Sequence, residues 1–166
     1  MTSTISRVKI DEQAYKRFVL ETQVLKLKGG VSFLVTLSHS VTGCLPGKTI
    51  VFDSIKINHG SAYNKTNGRF TAPRSGTYQI GVTLCASPHH DFTVQIVKNV
   101  AGRGYGYLFL EGGSHWEHRS TSSMIHLDAG DSIWISCLRN STVHGQNDGN
   151  AYDYNSHFSG FLIEHN

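Results

Sequence analysis

Phe52-Asp53-Ser54-Ile55-Lys56-Ile57-Asn58-His59-Gly60-Ser61-Ala62-Tyr63-Asn64-Lys65-Thr66-Asn67-Gly68-Arg69-Phe70-Thr71-Ala72-Pro73-Arg74-Ser75-Gly76-Thr77-Tyr78 is the stretch that decides the fold of this chain. Five residues separate Phe52 from Asn58, four lead on to Tyr63, six to Phe70, five to Gly76 and one to Tyr78. Large apolar side chains thus recur on successive short segments. Asn58, Gly60, Asn67, Gly68, Pro73 and Gly76 stand as turn formers between them. This spacing specifies antiparallel β-structure with tight connections.

The same pattern extends outward in both directions. Val31–Leu37 is β-branched and alternating, Thr49–Phe52 is short and apolar, and Ser54–Asn58 alternates strictly. Arg69–Thr71 is brief. Gly76–Leu84 sets Tyr78, Ile80, Val82 and Leu84 on one face, and Phe92–Lys98 alternates through Phe92, Val94 and Ile96. Tyr105–Leu110 is aromatic-rich. Ser123–Leu127 and Ser132–Leu138 flank Asp128-Ala129-Gly130-Asp131, which reads as a hairpin turn. Phe158–Ile163 is the last segment. About ten strands at this spacing predict an all-β sandwich. Ile10–Lys28 differs: it lacks Gly and Pro and is rich in Glu, Gln, Lys and Leu. Its heptad pattern is too short and too mixed for a coiled coil, so it reads as a lead-in or a short helix ended by Gly29-Gly30. The expected organisation is therefore a lead-in over 1–29 and one domain over 30–166.

Composition narrows the function. Of the 166 residues, 16% are charged and the net charge is +3, with no long basic run. A nucleic-acid footprint is absent on that basis, and no apolar stretch has membrane-span length. The cysteines are Cys44, Cys85 and Cys137, an odd count that rules out full internal pairing. Cys85 and Cys137 fall at strand positions, where a thiol behaves as a small buried hydrophobe. Free thiols are expected, with a Cys85–Cys137 bridge as the alternative. Met1–Lys9 has no apolar leader core. The sequons Asn64-Lys65-Thr66 and Asn140-Ser141-Thr142 weigh towards export, so the expected location is extracellular, with the cytoplasm left open.

Several of these segments, in this order, resemble the complement C1q globular-head family. Asn58–Asn64 and Thr66–Pro73 are similar to its most characteristic block, continued by Gly76-Thr77-Tyr78. Leu127–Ile135 resembles a later block and Phe158–Leu162 the closing strand. Ile80 and Val82 depart from the resemblance, standing where the family usually has aromatic residues. No collagen-like repeat is present. In this the chain resembles the short collagen-free invertebrate members. The resemblance implies a ten-stranded jelly roll of the C1q and tumour necrosis factor type, assembling as a homotrimer. Trp134, opposite in phase to Ile133 and Ile135, and the row Tyr105, Tyr107 and Phe109 are the expected trimer interface, because outward bulky residues need a partner.

No nucleophile elbow, phosphate loop or dinucleotide fingerprint occurs, so no enzyme is expected and no cofactor is required. His115-Trp116-Glu117-His118 with Glu111 forms a candidate metal cluster. By the resemblance, Glu111 and Glu117 lie roughly where some family members hold Ca2+. The resemblance also implies a lectin-like pattern-recognition role in innate defence, binding carbohydrate or microbial surfaces. The long segment around His144, Gln146, Asn147, Asp148, Asn150, Tyr152, Asp153 and Tyr154, with Trp116, has the aromatic and amide composition such sites use. A structural or signalling module for a protein partner, and a histidine-based metal binder, remain the alternatives.

Overall fold

A computed structural model describes residues 12–146 and 156–165. It opens with α1 (Glu12–Lys28). Glu12 sits in the first turn, where a carboxylate suits the helix dipole. Glu12 pairs with Lys16 at 2.8 Å and Arg17 with Glu21 at 3.0 Å, one helical turn apart. Tyr15, Phe18 and Leu20 are exposed on it.

Twelve strands follow: β1 (Ser32–Thr36), β2 (Val41–Cys44), β3 (Ser54–His59), β4 (Tyr63–Asn64), β5 (Arg69–Thr71), β6 (Gly76–Ala86), β7 (Phe92–Lys98), β8 (Gly104–Leu110), β9 (Glu117–Leu127), β10 (Ser132–Cys137), β11 (Ser141–Val143) and β12 (His157–His165). One five-stranded sheet runs β3-β1-β12-β6-β9, the other β4-β5-β10-β7-β8, and β11 pairs with β2 in a small ribbon. Every pairing is antiparallel. The two large sheets stack as a jelly-roll sandwich, each contributing alternate side chains to a shared core.

The aromatic residues of the opening stretch meet in that core. Phe33 stacks on Phe70 at 4.7 Å between ring centroids and meets Phe158 edge-on at 4.8 Å. Tyr63 stacks on Phe33 at 5.6 Å, Phe52 lies 5.7 Å from Phe158, and Tyr78 meets Phe70 edge-on at 5.6 Å. The two phenols keep their hydroxyls satisfied: Tyr63 donates to the Phe52 carbonyl at 2.9 Å and Tyr78 to that of Arg74 at 2.8 Å. Burial pushes both phenol pKa values up. Asn58 clamps the turn before β4 by exchanging hydrogen bonds with the Tyr63 backbone, each 3.0 Å. Gly68 closes the next turn at φ 72°, and a Cβ there would meet the Ile50 carbonyl at 2.9 Å. Tyr78, Ile80, Val82 and Leu84 all point inward, as their alternation predicts.

The structure corrects several readings. Cys44 and Cys137 form the disulfide, and Cys85 is the free, buried thiol. The sequence offers no sign of this pairing, because β2, which carries Cys44, does not read as a strand. β4 and β11 are likewise too short to show periodicity. Thr49–Phe52 is not a regular strand: Thr49 bridges Ser136, and the Ile50 N–H donates to the Ile135 carbonyl at 2.9 Å. Asp128–Asp131 does turn the chain, with the Asp131 N–H donating to the Asp128 carbonyl at 2.9 Å. It is a crossover and not a hairpin, since β9 and β10 belong to different sheets. β9 also starts earlier than Ser123, at Glu117. Trp134 is not left over for a partner either. It is 3% exposed, and the Arg69 guanidinium lies 3.9 Å above its ring.

Candidate functional site

One end of the sandwich gathers most of the chemistry the sequence singles out. The registers place it. Thr36 ends β1 opposite His157, Cys85 lies opposite His118, and Ala86 ends β6 opposite Glu117. His144 bridges Cys85 from the other side. The loops after β1, β6, β8 and β11 therefore share this end. With them come His39, His89, His90, His115, His118, His144 and His157.

Trp116 and His144 are the candidate ligand residues that the fold brings together. Their ring centroids lie 4.6 Å apart at an interplanar angle of 77°. His144 Nδ1 is 3.3 Å from Ser40 Oγ, while the Trp116 indole is 55% exposed. The backbone beneath them is firmly tied. The His144 N–H donates to the Cys85 carbonyl at 2.8 Å, and the Cys85 N–H donates to Ser156 Oγ at 3.0 Å. Ser156 Oγ in turn donates to the His144 carbonyl at 2.6 Å, and the Gln146 N–H donates to the Leu37 carbonyl at 3.0 Å. Gly145 is needed here because a Cβ would collide with the His39 carbonyl. Asn147, Asp148, Asn150, Tyr152, Asp153 and Tyr154 lie outside the described residues, but both flanks of their segment are fastened to this end. Ser40, Ser156 and the Cys85 backbone were not legible as site residues, since each acts through a contact distant in sequence. Burial pushes the Cys85 thiol up to about 11, which keeps it protonated and inert.

Nearby, Asp53 accepts from the Ser38 N–H at 2.9 Å and from the Ser38 hydroxyl. Burial would raise its pKa, but these bonds outweigh that and leave it lowered.

The expected metal residues do not converge. Among the described residues, no three His, Cys, Asp or Glu side chains come together as a cage. His115 Nδ1 lies 2.7 Å from Ser114 Oγ, and Glu117 pairs with Arg119 at 2.9 Å. Glu111 and Glu117 instead border a cleft of about 440 Å³ between the edges of β8 and β9.

That cleft adjoins a ridge. Tyr107 and Phe109 are 56% and 55% exposed, with ring centroids 5.8 Å apart, and Tyr105 continues the row. Elsewhere, the outward face of the β3-β1-β12-β6-β9 sheet carries exposed Ile55, Ile57, Met124, Phe161 and Ile163. A hollow of about 280 Å³ opens on this face over Gly81, Thr83, Ser120, Ser122, His157 and Ser159. Its apolar half was partly legible, because Phe161 and Ile163 alternate out of phase with the buried Phe158. Among the described residues no helix is long and apolar enough to cross a membrane.

Comparison with known proteins places this architecture. The family model described as the C1q domain matches residues 32–163. The chain is 27% identical over 107 residues to the heavy metal-binding protein HIP of Mytilus edulis, covering 63% of this chain and 49% of that protein. It is 28% identical over 138 residues to multimerin-2 of Mus musculus, covering 75% of this chain and 12% of that protein. It thus spans half or less of the length of these relatives. Among solved structures it superposes on the globular domain of zebrafish complement 1qA with a TM-score of 0.60 at 16% identity, covering 82% of this chain and 99% of that one. Murine APRIL superposes with a TM-score of 0.60 at 9% identity, covering 81% and 99%. The sandwich, its signature aromatic core and the family match together show that this chain belongs to the C1q domain family.

Proposed function

We propose that this chain is a homotrimeric recognition module that binds carbohydrate on microbial or other cell surfaces through the end that carries Trp116. The exposed indole, held edge-on by His144, is the observation that carries the reading. Sugar rings pack their C–H faces on an aromatic plane while their hydroxyls bond to nearby polar groups. Ser40 and the Asn, Asp and Tyr of segment 147–155 supply such groups in sequence. A single site of this kind is weak, and presenting three together raises avidity.

Self-association is supported by two unlike surfaces on one chain. The Tyr107–Phe109 ridge lies on edge strand β8, and the hollow over Gly81 lies on the outward face of the other sheet. A contact between unlike patches runs head to tail and must close into a ring to stop growing. The C1q and tumour necrosis factor-like neighbours are trimers, which supports closure at three.

A metal-binding reading draws on the name of the mussel relative and on the histidines at the same end. A protein partner is the third reading. Sedimentation and a glycan array, each with and without chelator, separate them. The proposal expects a trimer and sugar hits that Trp116→Ala abolishes. A blank array with tight zinc or copper uptake supports the metal reading, and a blank array without metal uptake supports a protein partner. A stable monomer at micromolar concentration removes the multivalent mechanism.

A further inference from the structure

We propose that Asn64 is an attachment site for an N-linked oligosaccharide, set on the edge of the sandwich that assembly leaves free. Asn64-Lys65-Thr66 satisfies the acceptor pattern. Residues 64–67 are all exposed, between buried Tyr63 and buried Gly68. The turn is held by its own backbone: the Gly68 N–H donates to the Asn64 carbonyl at 2.9 Å, and the Thr66 N–H donates to Asn64 Oδ1 at 2.8 Å. Asn64 Nδ2 has no protein partner among the described residues. A sugar attached there displaces nothing buried.

A separate feature addresses the compartment. The Cys44–Cys137 disulfide is a bond that forms and persists in oxidising surroundings, which for an exported eukaryotic chain are those in which N-glycans are added. The attachment rests on that export and not on carbohydrate binding, while its place on a free edge rests on the trimer reading above.

The second sequon fits less well. Asn140 is exposed, but Ser141 after it is 1% exposed. The Ser141 hydroxyl accepts from the Thr93 N–H at 3.0 Å and donates to the Arg139 carbonyl at 2.9 Å. Asn140 Oδ1 also lies only 3.8 Å from where a Cβ on Gly43 would stand, close against β2.

In the transfer step, Asn64 Nδ2 forms a bond to C1 of the first sugar of a lipid diphosphate-linked oligosaccharide. The C1–O bond to the diphosphate breaks, and the lipid diphosphate leaves with that electron pair. The amide gives up one proton to the transferase, and nothing is oxidised or reduced.

Position gives the glycan a physical role. β4 is the outermost strand of its sheet, at the opposite edge from β8. Its unpaired backbone is a template for edge-to-edge association, and a bulky hydrophilic chain covers it. The β8 ridge and the outward face of the other sheet stay clear.

The test is secretion of the full chain from a eukaryotic host, followed by intact mass and peptide mapping with and without peptide N-glycosidase. The expected result is a mass loss on deglycosylation, with Asn64 converted to Asp. Asn64→Gln and Thr66→Ala should each abolish the loss, and the second keeps the Asn64 side chain in place. Asn140→Gln should retain it. A secreted protein without the mass loss, or a loss that maps to Asn140 alone, overturns the proposal. So does a glycosylated protein that is monomeric when Thr66→Ala is trimeric.

Discussion

Trp116 and His144 stand 28 residues apart in sequence, yet their rings meet edge to face with centroids 4.6 Å apart. β9 begins one residue after Trp116, and His144 is fastened to the Cys85 backbone, so β6 serves as the common frame for both. The contact leaves the indole exposed while restricting its rotation. A preorganised aromatic face loses less freedom on binding a ligand than a mobile one.

Trp116→Ala should therefore cost binding rather than folding. An edge-to-face aromatic pair contributes roughly 0.5–1.5 kcal/mol, a small loss for a domain of this size. Ligand affinity should fall about tenfold or more if a sugar ring stacks on the indole, since 1.4 kcal/mol is a factor of ten. Glycan-array titration beside a thermal melt checks both halves. Loss of the fold with loss of binding would make the tryptophan structural.

The disulfide should dominate resistance to unfolding. It joins residues 93 apart in sequence, and a closed loop of that size gives about 4–5 kcal/mol in the chain-entropy treatment. Cys44→Ser, or reduction, should lower the melting temperature markedly. Thiol titration of the unreduced protein should find one reactive group in denaturant, Cys85, and close to none in the native state. Three thiols under denaturing conditions would show that the bond is absent.

Asp131 should make folding stability fall in strong acid. It accepts from Lys98 Nζ at 2.8 Å, from Asn99 Nδ2 at 2.7 Å and from the Asp128 N–H at 2.8 Å. The Lys98 bond foremost, then the Asn99 bond, lower its pKa from 3.8 to about 2. A depressed folded pKa adds stability that is fully present above 3.8 and lost as pH falls towards 2. Asp131→Asn should lose roughly 1 kcal/mol at neutral pH and flatten the acid limb of the stability curve, as read by denaturant titration. An unchanged acid limb would assign that sensitivity to other carboxylates.

Charge placed on the β8 ridge should dissociate the proposed trimer without unfolding the subunit. Tyr107→Asp and Phe109→Asp introduce repulsion at side chains more than half exposed in the protomer, so the core is untouched. Gly81→Leu should act from the other side, by filling the hollow while leaving β8 intact. Light scattering should report monomers for all three with native-like circular dichroism. A trimer that survives both the ridge and the hollow substitutions would place the interface elsewhere.

Much of the fold was legible because strand periodicity is local. Phe70 and Tyr78 lie on strands that their spacing announces, and Ile80 to Leu84 announce their buried face by alternation. Chemistry that depends on pairs distant in sequence was not legible. Cys44 joins Cys137, Arg69 covers Trp134, and Ser156 ties Cys85 to His144 only once two sheets are stacked.

By itself, then, the sequence determined an antiparallel β domain, which side chains fill its core, and its likeness to one family, since these follow from a two-residue repeat and the turn chemistry between repeats. Only the tertiary structure decided which cysteines bond, which outward aromatic residues stay uncovered, and which loops share an end. Those outcomes depend on sheet order and strand crossovers, and a pattern that repeats every two residues carries no information about which distant strand will lie alongside.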